Sequence, residues 1–104
     1  MKAIRFSSNW NNKLNCSCFT TFRVKSDKYK VGEVYEIYLK EEFICQARIV
    51  DMRVMKLREV DDWAAMIDTG YDKNEFEKII RNMYKNKFSN VEDVDFVMVL
   101  LKKL

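Results

Sequence analysis

The sequence predicts an α+β fold, in which a small barrel-like sheet of five or six strands is covered by two or three helices. In the first half, β-branched and aromatic runs alternate with a period of two, which is typical of strands. In the second half, apolar residues recur at helical spacing before a last apolar run. No proline and no repeat interrupts the 104 residues, so we expect a single domain over residues 1–104.

Four segments of the first half are predicted strands. Residues 2–6 alternate between polar and apolar side chains, and residues 18–24 (CFTTFRV) are rich in β-branched and aromatic types. Residues 34–39 are the third predicted strand, and residues 42–54 are a long fourth. The polar, asparagine-rich segment 7–15 is predicted to be a loop with one helical turn.

The second predicted strand has two chemically different faces. Because side chains alternate along a strand, Phe19, Thr21 and Arg23 share one face. The other face carries Cys18, Thr20, Phe22 and Val24. Arginine offers a planar fork of donors that suits a phosphate or a base edge, so the first face is a candidate binding surface. The alternative for Arg23 is an exposed strand residue paired with a neighbouring carboxylate.

The first helix is predicted over residues 60–67. Its apolar side consists of Val60, Trp63, Met66 and Ile67. We expect Trp63 on this stripe to lie in the core. Gly70 stands where a helix-terminating glycine is expected.

A capping pattern marks the start of the second helix, because Asp72 is followed three residues later by Glu75. Its predicted buried stripe consists of Phe76, Ile79, Ile80, Met83 and Tyr84. From Val94 onward, a nearly continuous apolar run predicts a strand with contacts on both faces.

Positive charge is concentrated at the start of the chain. Residues 1–30 contain seven Lys and Arg against one Asp, a net charge of +6, whereas residues 31–104 carry −3. A polyanion-binding surface needs such a separation of charge. The alternative is that long cationic side chains simply solvate exposed strands and a loop.

The composition excludes several kinds of site. Without histidine, no Ser-His or Cys-His nucleophile can form, and acid–base chemistry falls to carboxylates, lysine, tyrosine or cysteine. Three cysteines, Cys16, Cys18 and Cys45, cannot all pair and are too few for a four-ligand zinc site. We therefore expect buried thiols, no metal and no cofactor. With no membrane-length apolar run and no secretory signal, a cytoplasmic protein without a membrane partner is expected.

An ordered set of segments resembles a known family. The run FTTFRVKSDKYKVGEVYEIY contains a Thr-x-Arg strand, a charged turn and a Gly-Glu-Val strand start. Gln-Ala-Arg-Ile at 46–49, Leu57 and Ile-Asp-Thr-Gly-Tyr at 67–71 follow, and Phe76, Tyr84 and the valine-rich last strand complete the set. Over roughly residues 18–104 the chain resembles the ASCH domain of the PUA-like superfamily. The resemblance implies a PUA-like β-barrel with a cleft beside the Thr-x-Arg strand, and an association with RNA or modified nucleosides.

The resemblance implies that Thr21 and Arg23 point into this cleft and that Asp68 borders it. Phe19 is a candidate for base stacking, although a core position is favoured for it. Asp68 has a local backbone hydrogen bond as its alternative role, and Trp10 suits stacking at a second rim. The predicted ligand-binding residues are Thr21, Arg23, Phe19, Lys25, Lys28, Asp68, Trp10 and Lys13.

One branch of the family consists of amidohydrolases acting on N4-acetylcytidine through a lysine, the motif threonine and a glutamate. Thr21 matches the threonine, Cys18 occupies the lysine position, and the glutamate position falls at or near Asp68 or Thr69. Because cysteine is no simple replacement for lysine, no catalytic residue is assigned. The other acid–base candidates are Lys13, Lys25 and Asp68.

Three functional hypotheses follow from the sequence. The first is a binding module for RNA, single-stranded nucleic acid or a nucleotide-like ligand, through a basic cleft beside Thr21 and Arg23. The second is an amidohydrolase-type enzyme acting on a modified nucleoside such as N4-acetylcytidine. The third, a minor alternative, is a small phage or mobile-element protein whose partner is a host protein.

Overall fold

Five strands form one sheet in the computed structural model, which describes residues 2–104. Their bounds are Ala3–Phe6 (β1), Cys18–Val24 (β2), Val34–Leu39 (β3), Glu42–Met55 (β4) and Phe96–Lys103 (β5). Across the sheet their order is β1-β3-β4-β5-β2. Strand β1 is parallel to β3, and the other neighbours are antiparallel. These strands confirm the elements predicted from the alternating runs.

Two α-helices and three short 3₁₀ helices lie between the strands of residues 2–104. Their bounds are Asp62–Thr69 (α1) and Lys73–Tyr84 (α2), and Trp10–Asn15, Leu57–Glu59 and Val91–Asp93 for the 3₁₀ helices. Asp61 and Asp72 cap α1 and α2, because each carboxylate accepts a hydrogen bond from the backbone three residues further on. No helix within this part of the chain has the length and apolar character needed to span a membrane.

The sheet curls into a half-barrel and stays open. Strands β1 and β2 are its two edges, and in residues 2–104 no backbone ladder joins them. The predicted α+β class is therefore confirmed, and the curled five-stranded sheet is compatible with the predicted small barrel-like fold. The gap between the edges of β1 and β2, here called the seam, is left for side chains to fill.

Two apolar clusters stabilise the fold. The first receives residues from all five strands and fills the inside of the half-barrel: Ile4, Phe6, Leu14, Phe19, Tyr35, Ile37, Ala47, Ile49, Val97, Val99 and Leu101. The second lies between the sheet and the helices: Phe22, Leu57, Val60, Ala65, Phe76, Ile80 and Phe96. Strand β5 contributes to both, which confirms the contacts on two faces predicted from its continuous apolar run.

A bulge in β4 changes the set of side chains that face inward. Ile49 pairs with Leu101, but Asp51 pairs with Leu100, so two residues of β4 span one step of β5. Before the bulge the odd-numbered Ile49 faces the inner cluster, and after it the even-numbered Met52 does. The bulge thereby places Asp51 on the outer face of the sheet.

The prediction that Trp63 lies in the core is wrong, because its side chain is 79% exposed. Helix α1 buries the opposite side, with Ala65, Asp68 and Thr69 facing inward. At about 100° per residue, Trp63 and Asp68 are about 140° apart around the helix, so the two cannot face inward together. Asp68 is held inward by polar partners. The apolar side chains that therefore turn to solvent are Trp63, Met66 and Ile67, whereas Val60, which precedes the helix, is buried.

The expectation of buried thiols is also wrong for two of the three cysteines. Cys16 and Cys18 are exposed, and Cys45 is half-buried. Cys18 lies on the edge strand β2, on the face opposite Phe19. Its thiol therefore points away from the inner cluster.

Candidate functional site

A polar cavity of about 90 Å³ lies at the seam. Strands β1 and β2, the first 3₁₀ helix and the C-terminal halves of α1 and α2 all contribute to its wall. Its polar lining consists of Arg5, Ser7, Lys13, Thr21, Arg23, Asp68 and Thr69, and its aromatic lining of Phe6, Trp10, Phe22 and Tyr84. Three cations against one carboxylate make this lining positive.

Arg23 bridges the seam. Its Nε donates to Thr21 Oγ1 at 2.8 Å, and its Nη2 donates to the backbone carbonyl of Arg5 on β1 at 2.7 Å. The guanidinium also lies over the Phe6 ring, 4.8 Å from its centroid. No carboxylate among residues 2–104 forms an ion pair with it. Arg23 is thus held by neutral groups, and no ion pair in this part of the chain neutralises its charge beside the cavity.

A buried ion pair forms another part of the wall. Lys13 Nζ donates to Asp68 Oδ1 at 2.8 Å, and both side chains are 6% exposed. Thr20 Oγ1 donates to the same oxygen at 2.8 Å. In residues 2–104 no bond reaches Asp68 Oδ2, so this oxygen is left to the cavity that Asp68 lines.

Burial lowers the pKa of the Lys13 amine, because the charged form loses hydration. The Asp68 carboxylate opposes this effect by attracting the ammonium, and the Arg23 charge adds a smaller lowering of the same pKa. A lysine so placed gives up its proton more readily than a surface lysine does. It therefore has acid–base capacity within reach of the cavity.

The first 3₁₀ helix brings Lys13 to α1 by capping the end of that helix. The Asn11 side-chain amide donates to the carbonyls of Met66 and Ile67, each at 3.3 Å. Asn11 adopts a φ of 57°, which asparagine tolerates better than most residues. Gly70 leaves room for this contact, since a Cβ there would lie 3.2 Å from Asn11 Oδ1. The same turn of chain carries Lys13 toward Asp68.

Cations from the first thirty residues gather in the cavity wall and around its opening. Burial lowers the pKa of Lys28, and the charges of Arg23, Arg5 and Lys2 lower it further, so these four groups share one field. Lys2 is paired with Glu33 at 3.3 Å. The charge separation predicted from the sequence thus becomes a basic mouth beside the seam, formed by Arg5, Arg23 and Lys28.

Aromatic rings line another part of the wall. Trp10 is half-buried and contacts Tyr71 edge-on, with ring centroids 6.3 Å apart. On the side of α2, burial raises the pKa of the Tyr84 hydroxyl, and the charge of Arg23 opposes that rise. The rings offer flat apolar surface next to a cationic group, an arrangement that suits a nucleobase.

Five of the eight predicted ligand-binding residues line the cavity: Thr21, Arg23, Asp68, Trp10 and Lys13. The other three do not. Phe19 is 3% exposed and packs edge-on against Phe6 in the inner cluster, the position favoured for it above. Lys28 belongs to the basic mouth outside the cavity. The side chain of Lys25 lies exposed, outside the cavity lining.

Sequence reasoning missed Arg5, Phe6 and Tyr84 as site residues. Arg5 is part of the +6 segment, and that charge was the available signal. The sequence did not show that β1 and β2 would become the two edges of one open sheet, so nothing linked Arg5 to Arg23. Tyr84 was predicted only as part of the buried stripe of α2.

Among residues 2–104, no three carboxylates or thiols are grouped closely enough to hold a metal ion. Comparison of the chain with protein-family models, curated proteins and solved structures finds no match.

Proposed function

We propose that the cavity binds a nucleotide-like unit, as part of RNA or single-stranded nucleic acid or as a free nucleotide. The observation that carries this proposal is the position of Arg23, whose charge is held beside the cavity by neutral groups and by no carboxylate. A guanidinium fixed in this way offers its remaining N–H groups to a phosphate or to a base edge. The ASCH resemblance, which implies a cleft beside Thr21 and Arg23, points the same way.

The size of the cavity supports partial insertion of the ligand. Pockets that enclose a whole small ligand usually measure about 300–1,000 Å³, and this one measures about 90 Å³. One base edge or one phosphate fits, and the rest of the ligand lies outside. In this proposal Arg5 and Lys28 contact the backbone of the ligand, and Trp10 stacks on a base.

Substitution of Arg23 tests this function. We expect Arg23→Gln to weaken binding of a fluorescent single-stranded RNA at least about tenfold, because a charge-assisted contact is lost. Arg53→Gln is the matched control, since Arg53 is an exposed strand arginine outside the cavity lining. Fluorescence anisotropy gives the affinities, and circular dichroism checks that both variants are folded. Equal affinities of the wild type and Arg23→Gln would refute the proposal.

A second candidate is hydrolysis of an amide on a modified nucleoside such as N4-acetylcytidine. The buried Lys13–Asp68 pair favours it, because an amine of lowered pKa beside a carboxylate and the Thr21 hydroxyl supplies groups that can move protons. Water would add to the acetyl carbonyl, the C–N bond would break, and cytidine and acetate would leave. Chromatography after incubation with N4-acetylcytidine tests this. We expect the wild type to convert N4-acetylcytidine and the Lys13→Met variant to lose this turnover. If the wild type shows no turnover above a buffer control, the activity is rejected.

A further inference from the structure

We propose a second binding surface, a groove on the outside of the molecule that accepts an amphipathic, positively charged helical segment of a partner protein. The groove lies between the outward face of α1 and the outer face of β4 and β5. Its floor is apolar and consists of Met55, Trp63, Met66, Ile67, Met98 and Leu100. Within residues 2–104, no residue that lines the proposed nucleotide cavity also lines this groove. The inference therefore does not depend on that function.

The apolar side chains of the floor are exposed, although side chains of this kind on a helix normally lie in the core of a single domain. Trp63 is 79% exposed, Ile67 55% and Met66 48%. Three such residues on one short helix, continuous with methionines on the sheet, form a patch of the kind that marks interaction sites. Tryptophan and methionine are also enriched at the centres of protein interfaces.

The rim of the groove is acidic. Asp51, Glu59, Asp61 and Asp62 line it against a single cation, Arg53, which is paired with Asp51 at 3.5 Å. An apolar floor inside a negative rim is complementary to a segment whose apolar face is flanked by Lys or Arg.

The charge also argues against the other occupants. RNA would bring its phosphates close to the carboxylates of the rim, so like charges would meet. A second copy of this chain would place the same rim on both sides of a two-fold contact, so like charges would meet. A basic amphipathic helix meets neither difficulty, and an apolar face with i, i+3 and i+4 spacing matches a groove lined by α1.

The probe is a synthetic helical peptide of about 18 residues with a leucine face and a lysine face. We expect it to shift the amide resonances of Trp63, Ile67 and Leu100 in two-dimensional NMR spectra. Trp63→Ala should weaken binding at least about tenfold, because tryptophans at interface centres carry much of the affinity. Val31→Ala, at an apolar residue that is 59% exposed outside the groove, is the matched control and should change nothing.

A second peptide keeps the leucine face and carries glutamate in place of lysine. The proposal requires it to bind at least about tenfold more weakly than the lysine peptide. Equal binding of the two peptides, no binding of the lysine peptide, or no loss in Trp63→Ala would overturn the proposal. So would sedimentation showing a dimer that Trp63→Ala dissociates, since the occupant would then be a second copy.

Discussion

Burial of the Lys13–Asp68 pair removes two charges from water, and their attraction offsets only part of that cost. A contribution to the stability of the fold therefore does not explain why this pair is buried. Thr20 is the second donor to Asp68 Oδ1, beside Lys13, and it helps to hold the carboxylate in the cavity wall. A buried polar cluster that lies in a cavity wall and leaves one carboxylate oxygen to the cavity is better explained by the chemistry of the cavity.

Removal of one member of the pair leaves the other charge buried and unpaired. We expect Lys13→Met to lower the free energy of unfolding by about 3–5 kcal/mol. The double variant Lys13→Met/Asp68→Asn should recover more than half of that loss, because no buried charge is left. Urea denaturation measures both, and Lys2→Met, which breaks an exposed pair with Glu33, should cost less than about 1 kcal/mol. A double variant no more stable than Lys13→Met would contradict this account.

The lowered pKa of Lys13 has a consequence for stability against pH. Between the folded-state pKa of Lys13 and the ordinary lysine pKa of 10.5, the unfolded chain holds the Lys13 proton more fully than the folded protein does. The contribution of Lys13 to the free energy of unfolding therefore rises with pH across that window and is lost as pH falls. The difference in unfolding free energy between wild type and Lys13→Met, measured by urea denaturation at several pH values, should increase toward pH 10.5. A difference that stays constant would contradict a lowered pKa of Lys13 in the folded protein.

Helix α1 is the element on which both proposed surfaces depend. Its inward side presents Asp68 to the cavity, and its outward side presents Trp63 and Ile67 to the groove. The apolar periodicity pointed to the outward side as the buried one. The rotation of the helix is set by partners 48 and 55 residues away in sequence, Thr20 and Lys13, which local periodicity does not report.

The end of α1 gives a prediction about Gly70. Both glycines have positive φ, so replacement by alanine strains the backbone at either position by about 1–2 kcal/mol. At Gly32 the added Cβ meets open space, but at Gly70 it meets Asn11. We expect Gly70→Ala to lower the midpoint of thermal unfolding more than Gly32→Ala does, because the two bonds from Asn11 to α1 are also disturbed.

A control isolates the Asn11 contact. Asn11→Ala removes the two bonds, each worth about 0.5–1.5 kcal/mol. If this contact is the reason for the larger effect, the double variant Asn11→Ala/Gly70→Ala will lose less stability than the two single losses combined. Full additivity would mean that Gly70 acts through its backbone conformation alone.

The molecule as a whole separates its charges between two surfaces. The seam collects cations of the first thirty residues, and the groove collects carboxylates of residues 51–62. Such a separation orients a polyanion toward the seam and away from the groove.

Salt should therefore weaken RNA binding in a graded way. If Arg5, Arg23 and Lys28 each neutralise one phosphate, log K should fall with log[salt] with a slope of about −2 for a single strand. Arg23→Gln should reduce the slope to about −1.4, and Arg53→Gln should leave it unchanged. Fluorescence anisotropy over a range of NaCl concentrations measures the slopes. Binding that salt does not affect would contradict a phosphate contact at the seam.

Every strand and both helices could be predicted from local pattern, including the Asp72 cap and the end of α1 at Gly70. The shared face of Thr21 and Arg23 follows in the same way, since alternation along a strand is a local rule. The bulge in β4 and the outward turn of Trp63 could not be predicted, because each depends on the pairing of distant segments. The open seam is of this kind too, since it exists only once β1 and β2 are placed at opposite edges of the sheet.

For this chain, propensity and spacing along the sequence were enough to establish the strands and the two α-helices, the Asp72 cap and the excess of cations near the start. The cavity, the Lys13–Asp68 pair and the acidic groove arise from contacts between residues far apart in the chain. Secondary structure depends on neighbours a few residues away, whereas a site depends on which distant side chains share one small volume. Packing of the whole chain sets that second condition.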